Sequence, residues 1–368
     1  MQLPPFKLER FFAQYEFSSK YLLCSSDCES VTVQDLLALE PEAHQLFLRL
    51  RLGYTESLGA PELRQEICRL YKTIQPEQVL VHSGAEEAIF LFMHAALQLG
   101  DHVVVHSPCY QSLFEMARSR GCEVTRWVAH ERNGWALDLD DLRRALRANT
   151  RVIVVNTPHN PTGYLMSPED FRALHQIAQA KGIVVFSDEV YRESEYRAIE
   201  RLPAACDFNE SAISLGVMSK TYGLAGLRLG WIATRHAAIY EKMAQLKDYT
   251  TICNSAPSEF LATLALRHRE KIVLRNVDII LRNLDLLDRF FARFISRFAW
   301  QRPAAGPVAF PRLLGDNVET FCARLVRQTG VLLAPGTLFE NYDNHFRLGF
   351  GRKNLPEAVS RLEDFLHS

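Results

Sequence analysis

A series of short aliphatic runs between about Val79 and Thr234 constrains this chain more than any other feature. The runs are rich in β-branched residues and apolar on consecutive positions: Val79–Val81, His102–His106, Val152–Val155, Ile183–Phe186, Ala212–Val217 and Leu229–Ala233. Strands of this kind suit burial on both faces, as in a mainly parallel sheet covered by helices. Helical patterns follow the first three runs, at Glu86–Leu97, Gln111–Ser119 and Pro168–Lys181. We therefore predict an α/β fold with a doubly wound sheet.

The pattern changes after Ala256. Residues Ser258–Phe298 carry apolar side chains at three- and four-residue steps, which predicts one or two long helices. Strand-like segments follow at Val308–Phe310, Val331–Ala334 and Phe346–Phe350. The length of 368 residues is typical of two domains. We predict a large domain over residues 31–257 and a smaller α+β domain made of residues 1–30 and 258–368. The first thirty residues are expected to return to the small domain or to lie over the active site.

The charge balance and hydropathy exclude several classes of protein. The chain has 42 Lys and Arg against 43 Asp and Glu, so it lacks the basic excess of nucleic-acid binders. No apolar run approaches the ~20 residues of a membrane span, and the N-terminus lacks the apolar run of a signal peptide. We therefore expect a cytoplasmic protein without nucleic-acid or membrane partners.

The cysteines are scattered along the chain. There are eight, and none forms a Cys-x-x-Cys pair. Cys24 and Cys28 could be half of a metal site, but the sequence has no second pair of cysteines or histidines at a suitable spacing to complete it. We predict free thiols and no metal site.

The first strand-like run leads into Ser83-Gly84-Ala85-Glu86, where a helix begins. The backbone N–H groups of Gly84, Ala85 and Glu86 could point at a bound anion, with the helix dipole behind them. A plain strand-to-helix turn capped by Ser83 is the alternative.

Two further loops follow strand-like runs. Tyr110 lies just past the second run, at the edge of the sheet where ligands of α/β proteins bind, and its ring could stack on a flat ligand. It could equally be a half-buried loop tyrosine. The loop from Asn156 to Gly163 contains two prolines and is predicted to be stiff, so the amide of Asn160 could donate to a phenolate-like oxygen.

Asp188 ends an aliphatic run, so its carboxylate is expected in a poorly solvated place and needs a cationic partner. Arg192 is one possible partner, and a protonated ring nitrogen of a ligand is another. A helix cap is the simpler interpretation.

Lys220 ends the next run, inside a stretch of small and hydroxyl residues that includes Ser219. Desolvation lowers the pKa of a lysine and frees its amine as a nucleophile for carbonyls. Arg228, eight residues on, could bring its guanidinium to a phosphate. Arg347 alternates with apolar residues on a strand and could bind a substrate carboxylate. An ordinary surface lysine and an exposed strand arginine are the alternatives.

Taken in order, these segments resemble the class I/II aminotransferases, the fold-type I family of pyridoxal-phosphate enzymes. The resemblance covers about Gly53 to Arg352 and implies a large domain with a mainly parallel, seven-stranded sheet.

The resemblance also implies roles for individual residues. Lys220 would carry pyridoxal phosphate as a Schiff base and move the proton, with Asp188 and Tyr191 as further catalytic residues. Tyr110 would stack on the cofactor ring, and Asn160 with Tyr191 would form hydrogen bonds to the ring oxygen. The phosphate cup would consist of Ser83 to Glu86 with Ser219 and Arg228. Arg347 with Asn160 would bind the substrate carboxylate, and Tyr54 would contact the neighbouring subunit of a homodimer.

Some positions depart from the family pattern. Val217 stands where many members have a serine, and Ala85 where relatives often have a threonine. The N-terminal segment carries Asp27 and Glu29, which could favour a basic amino acid or could be solvated loop acids. The predicted function is transfer of an amino group between an L-amino acid and a 2-oxo acid. The alternative is a lyase, decarboxylase or cyclising enzyme that uses the same site on an arginine-like amino acid.

Overall fold

The computed structural model describes residues 3–340, 342 and 344–367. Its helices are α1 Lys7–Tyr15, α2 Val33–Leu37, α3 Ala43–Leu48, α4 Pro61–Cys68, α5 Ala85–Ala96, α6 Ser112–Ser119, α7 Leu139–Ala145, α8 Pro168–Ala180, α9 Ala205–Phe208, α10 Ala237–Lys247, α11 Ala256–Arg267, α12 Arg269–Arg293, α13 Val318–Thr329 and α14 Leu355–His367. Its strands are β1 Val79–His82, β2 His102–Ser107, β3 Glu123–Val128, β4 Thr150–Asn156, β5 Val184–Asp188, β6 Ala212–Val217, β7 Gly230–Thr234, β8 Phe298–Ala299, β9 Val308–Ala309, β10 Arg312–Leu313, β11 Ala334–Pro335 and β12 Phe346–Gly349.

Seven strands form the central sheet, in the order β1-β7-β6-β5-β4-β2-β3. Strands β3, β2, β4, β5 and β6 run parallel to one another, whereas β7 runs antiparallel to both β6 and β1. The predicted α/β class with a mainly parallel sheet is confirmed. The carboxyl ends of β4 and β5 therefore lie side by side, with Asn156 opposite Asp188.

Helices cover both faces of this sheet. Val103 and Val105 of β2 pack in one apolar cluster with residues of α5 and α6, whereas Val104 packs in another with residues of α7 and α8. Successive side chains of a strand point to opposite faces, so this alternation places apolar layers on both sides. The consecutive aliphatic residues of the strands are the reason for the doubly wound arrangement.

A smaller unit follows the sheet. Strands β11, β12 and β9 form one small sheet and β10 pairs with β8. Helices α12, α13 and α14 contribute a third apolar cluster that also contains Tyr21 and Leu23 from the N-terminal segment. Tyr21 and Leu23 thus pack in the small unit, whereas Leu8 of α1 packs in a cluster of the large sheet. Domain boundaries at residues 30 and 257 remain a prediction.

Two local expectations were wrong. The edge strand β3 was not predicted, because only Trp127 among its residues is buried and the segment lacks a continuous apolar run. The predicted strand Val331–Ala334 is reduced to Ala334–Pro335, with Val331 in an isolated bridge to Tyr21. The stretch Ser258–Phe298, predicted to form one or two long helices, contains two, α11 and α12, which are separated at His268.

Among the described residues, no helix is both long and apolar enough to cross a membrane. Nor do the described His, Cys, Asp and Glu side chains form a group of three or more that could hold a metal ion.

Candidate active site

A cavity of about 520 Å³ opens at the carboxyl ends of β4 and β5. It is bounded by the sheet on one side and by α1 and the N-terminal segment on the other. Its lining residues are Phe6, Leu8, Glu9, Phe12, Glu16, Ser25, Ser26, Asp27, Ala85, Glu86, Ile89, Tyr110, Asn156, Asn160, Asp188, Val190, Tyr191, Ser219, Lys220, Ala225, Arg228, Arg347 and Arg352.

Asp188 is the last residue of β5 and faces the cavity with only 7% of its surface exposed. One carboxylate oxygen accepts the backbone N–H of Val190 at 3.2 Å, and burial raises the pKa of Asp188 to about 7. The suggested pairing with Arg192 was wrong: Arg192 lies 3.7 Å from Glu189, because a tight turn, in which the Arg192 backbone N–H donates to the Glu189 carbonyl at 2.8 Å, brings these two residues together. Asp188 therefore forms no ion pair with the described side chains.

Lys220 follows β6, and its amine projects into the same cavity. Its Nζ donates a hydrogen bond to the hydroxyl of Ser26 at 2.8 Å. Burial is the main reason that the pKa of Lys220 is lowered; Asp27 opposes this shift and Arg347 adds to it. Tyr191 is buried beside it, and its phenol donates to the carbonyl of Ser26 at 2.9 Å.

The start of α5 lies against Arg228. Gly84 precedes the helix with a φ of +87°, and a Cβ there would come within 2.8 Å of Arg228 Nη2. Ala85, Ser219 and Arg228 line the cavity. A guanidinium and a helix N-terminus thus lie together, which is the arrangement that binds phosphate groups.

Ser83 and Glu86 are placed differently from their neighbours. The backbone N–H of Ser83 donates to Glu87 at 2.6 Å, and Ser83 does not appear among the cavity residues. The side chain of Glu86 lines the cavity, accepts from the Ser112 hydroxyl at 3.1 Å, and has its pKa raised to about 7 by burial.

Arg347 lies on β12 with 1% of its surface exposed. Its Nε and Nη2 donate to the carbonyl of Cys24 at 3.1 and 2.9 Å, and its Nη1 donates to Asn160 Oδ1 at 3.3 Å. Asn160 is itself held by Asn156, whose Oδ1 accepts the Asn160 backbone N–H at 2.7 Å. A buried arginine of this kind can present its remaining N–H groups to a carboxylate.

Tyr110 and Tyr54 lie in contrasting places. The ring of Tyr110 packs against Phe6 at 4.8 Å and its hydroxyl donates to Glu9 at 2.6 Å, at the wall of the cavity. Tyr54 is 92% exposed and does not line the cavity of its own chain.

Several cavity residues were missed in the sequence. Ser26, Glu9 and Glu16 belong to segments far from the strand ends, where no local motif marks them. Asp27 lines the cavity, but its carboxylate pairs with Arg352 at 2.9 Å. Glu29 lies outside the cavity lining and accepts the backbone N–H of Lys353 at 2.8 Å, so only Asp27 of that predicted pair faces the site.

The described residues suit pyridoxal phosphate on three counts. A buried carboxylate without a protein cation can hold a protonated ring nitrogen, because it needs a positive partner in a poorly solvated place. Arg228 and the start of α5 can hold the phosphate, and the amine of Lys220 can form the Schiff base.

Comparison with known proteins agrees with this chemistry. Residues 18–362 match the family model "Aminotransferase class I and II". The capreomycidine synthase of Streptomyces vinaceus is 30% identical over 373 residues, which cover 99% of this chain and 94% of that protein. An aspartate aminotransferase of Sulfurisphaera tokodaii is 27% identical over 85% of this chain and 82% of its own.

Solved structures show the same relationship. A PLP-dependent aminotransferase from Streptococcus suis superposes with a TM-score of 0.94 at 33% identity, over 100% of this chain and 98% of its own. The PLP-dependent cyclase OrfR superposes with a TM-score of 0.91 at 29% identity, over 100% and 98%. The chain therefore belongs to the class I and II aminotransferases, the fold-type I enzymes whose cofactor is pyridoxal phosphate.

Proposed function

We propose that this protein is an aminotransferase that moves an amino group between an L-amino acid and a 2-oxo acid. The observation that carries the proposal is a single cavity containing the amine of Lys220, the buried carboxylate of Asp188 and the buried guanidinium of Arg347. Lys220 supplies a nucleophile and base, Asp188 a partner for a ring cation, and Arg347 a binding group for the substrate carboxylate.

The cofactor-facing groups have distinct tasks in this proposal. Pyridoxal phosphate supplies an electron sink that stabilises negative charge at the α-carbon of an amino acid. Asp188 would keep the ring nitrogen protonated, and Tyr191 with Asn160 would donate to the ring oxygen. Arg228 would hold the phosphate, together with the backbone at Gly84 to Glu86 and the nearby Ser219 and Ser83. Tyr110 would pack against the ring.

The substrate-facing groups orient the amino acid and move its proton. Arg347 and Asn160 hold the α-carboxylate, which fixes the direction of the α-hydrogen. Lys220, with its pKa lowered by burial, would take that proton as a general base and would return it to a carbon of the cofactor. The amino acid would leave as a 2-oxo acid, and its amino group would pass to a second 2-oxo acid.

A half-reaction screen tests this proposal. Purified holoenzyme is mixed with each amino acid while the visible absorbance of the bound cofactor is followed. We expect conversion by some amino acids, formation of the matching oxo acid, and recovery of the absorbance on adding pyruvate or 2-oxoglutarate. Absence of oxo-acid-dependent recovery across a broad panel contradicts amino-group transfer.

A second candidate is cyclisation, elimination or decarboxylation of an arginine-like amino acid at the same site. The observation that favours it is the full-length similarity to capreomycidine synthase and to the cyclase OrfR. Glu9 and Glu16 of the cavity wall could accept hydrogen bonds from a guanidinium. Mass spectrometry separates the two candidates, because this second chemistry changes the amino acid without any oxo-acid acceptor.

We also propose a homodimer in which Tyr54 reaches the phosphate of the neighbouring active site. Its 92% exposure leaves the ring without a packing role in its own chain. Subunit hybrids test this. Tyr54→Ala and Lys220→Ala chains, each impaired alone, are expected to regain cofactor binding and activity when mixed, since one site of the hybrid is intact. Unchanged activity on mixing would oppose shared sites.

A further inference from the structure

The segment from Leu23 to Cys28, here called the N-terminal strap, is held between β12 and the loop that carries Lys220. The backbone N–H of Gly349 donates to the carbonyl of Leu23 at 2.9 Å, and that of Cys28 donates to the carbonyl of Lys220 at 3.3 Å. A Cβ on Gly349 would lie only 1.7 Å from the Ser25 carbonyl oxygen, so the two backbones are in close contact. The strap is therefore a fixed part of the cavity wall.

The strap contacts three of the groups to which the chemistry is assigned. The carbonyl of Cys24 accepts from Arg347, and the carbonyl of Ser26 accepts from Tyr191. These two contacts come from the main chain, so residues of many types could supply them. The third contact depends on the side chain alone: the hydroxyl of Ser26 accepts a hydrogen bond from Lys220 Nζ at 2.8 Å.

Ser26 is the only hydrogen-bond partner of this amine in the part of the chain that the structure describes. Burial disfavours the charged form of Lys220, and the negative charge of Asp27 counteracts this in part. An acceptor at hydrogen-bond distance favours the ammonium form and also limits rotation about the end of the long side chain. Both effects matter for an amine that removes a proton from the substrate α-carbon and returns it to a carbon of the cofactor.

We propose that Ser26 is a positioning residue of this enzyme, whose hydroxyl orients the free amine of Lys220 during proton transfer. The inference rests on the proposed function, since it assigns Lys220 the role of the base. No covalent bond forms at Ser26. Lys220 takes up one proton, Ser26 accepts a hydrogen bond from the resulting ammonium group, and Lys220 gives up the same proton when the transfer is complete.

The experiment compares Ser26→Ala, which removes the hydroxyl and keeps the backbone carbonyl for Tyr191, with Ser26→Thr, which keeps both. Ser30→Ala, an exposed serine a few residues along the chain, is the matched control. Two quantities are measured: the single-turnover rate with a reactive amino acid over pH, and the pKa of Lys220 in the pyridoxamine-phosphate form. The second comes from the rate at which an amine-specific reagent labels Lys220 and does not depend on turnover.

We expect Ser26→Ala to slow the single turnover about tenfold and to lower the measured pKa of Lys220 by about 1, the size expected for a lost hydrogen bond to a charged group. Substrate affinity should change little. Ser26→Thr and Ser30→Ala should match the wild type in both measurements. A Ser26→Ala enzyme with wild-type rate and wild-type labelling pKa would overturn the proposal.

Two further outcomes keep the test decisive. If Ser26→Ala fails to fold or to bind the cofactor, Ser26→Thr decides instead: a wild-type rate and pKa support the hydroxyl, and loss of both in a folded protein opposes it. If the wild type itself converts no amino acid, the proposed function fails, whereas the labelling pKa still reports whether Ser26 acts on Lys220.

Discussion

The two walls of the active-site cavity are built in different ways. The sheet wall carries Asp188 at the end of β5, Lys220 just after β6 and Arg228 just before β7, each within a short sequence motif. The opposite wall, here called the strap wall, is made of α1, the N-terminal strap and the small unit. It depends on contacts between residues far apart in sequence, such as Arg347 with Cys24, 323 residues away.

Because the two walls differ in this way, we expect one to determine the cofactor chemistry and the other the choice of substrate. The sheet wall holds groups suited to the cofactor, and the fold that positions them is similar to those of an aminotransferase and of a cyclase alike. The strap wall holds Glu9, Glu16 and Asp27, which line the cavity opposite the groups suited to the cofactor. Reaction outcome and substrate choice should therefore respond mainly to changes in the strap wall, and cofactor chemistry to changes in the sheet wall.

The largest expected effect is at Lys220. Lys220→Ala should abolish the Schiff-base absorbance and lower turnover by about 10⁴-fold or more, because nucleophile and base are lost together. Lys242→Ala, on the exposed face of α10, is the control and should behave as the wild type. Normal Schiff-base absorbance in the Lys220 variant would break the assignment of the sheet wall to the cofactor.

Asp188 tests the same wall through charge. Asp188→Asn keeps the shape but removes the partner of a ring cation, so we expect a loss of about 10²- to 10³-fold in turnover with the cofactor still bound. The loss should appear in single-turnover rates, with Asp364→Asn on α14 as the control. A loss below threefold would contradict the role given to Asp188.

Asp188 also predicts a pH dependence of stability in the cofactor-free protein. Its pKa is raised to about 7 by burial, so between pH 4 and 7 the folded state binds a proton that the unfolded state has released. Stability therefore falls as pH rises through this range, by at most ~4 kcal/mol, and is not regained above it. Denaturant unfolding at pH 4.5 and pH 8 should show this loss in the wild type and a smaller one in Asp188→Asn. An identical pH dependence in both proteins would refute it.

Arg347 joins the two walls, and its removal should act on substrate rather than on cofactor. Arg347→Ala is expected to raise KM for amino acids about 100-fold, because the buried guanidinium that binds the substrate carboxylate is lost. Cofactor affinity should stay near the wild-type value. Arg347→Lys should recover little, since the ammonium group lacks the paired N–H geometry. Arg361→Ala, exposed on α14, is the control. Loss of cofactor without any change in KM would reverse the assignment.

The smallest effect on stability and substrate preference is expected at Glu16, whose replacement tests whether the strap wall binds cationic side chains. This residue follows the last turn of α1, where the helix dipole disfavours an anion, and burial raises its pKa. Glu16→Gln should raise stability by about 0.5 kcal/mol, whereas Glu169→Gln in the first turn of α8 should lower it slightly. If the enzyme prefers cationic side chains, Glu16→Gln should also lower its preference for arginine over citrulline a fewfold. A larger preference in the variant would argue against a cation-binding strap wall.

Most of the sheet could be predicted because its strands are apolar on consecutive positions. The edge strand β3 could not, since Glu123–Val128 is half-buried and lacks that pattern. Similarly, Asp188 could be placed at a strand end, but its partner could not: Arg192 is close in sequence and turns to Glu189 instead.

By itself, the sequence determined the fold class, the family and the candidates Lys220, Asp188, Tyr191, Asn160, Arg228 and Arg347. It could do so because parallel strands end at one edge of a sheet, so that local motifs after each strand meet there. Only the tertiary structure decided that the N-terminal strap passes between β12 and Lys220 and brings the hydroxyl of Ser26 to the amine of Lys220. That contact joins residues 194 positions apart, and no periodicity or motif within the strap indicates it.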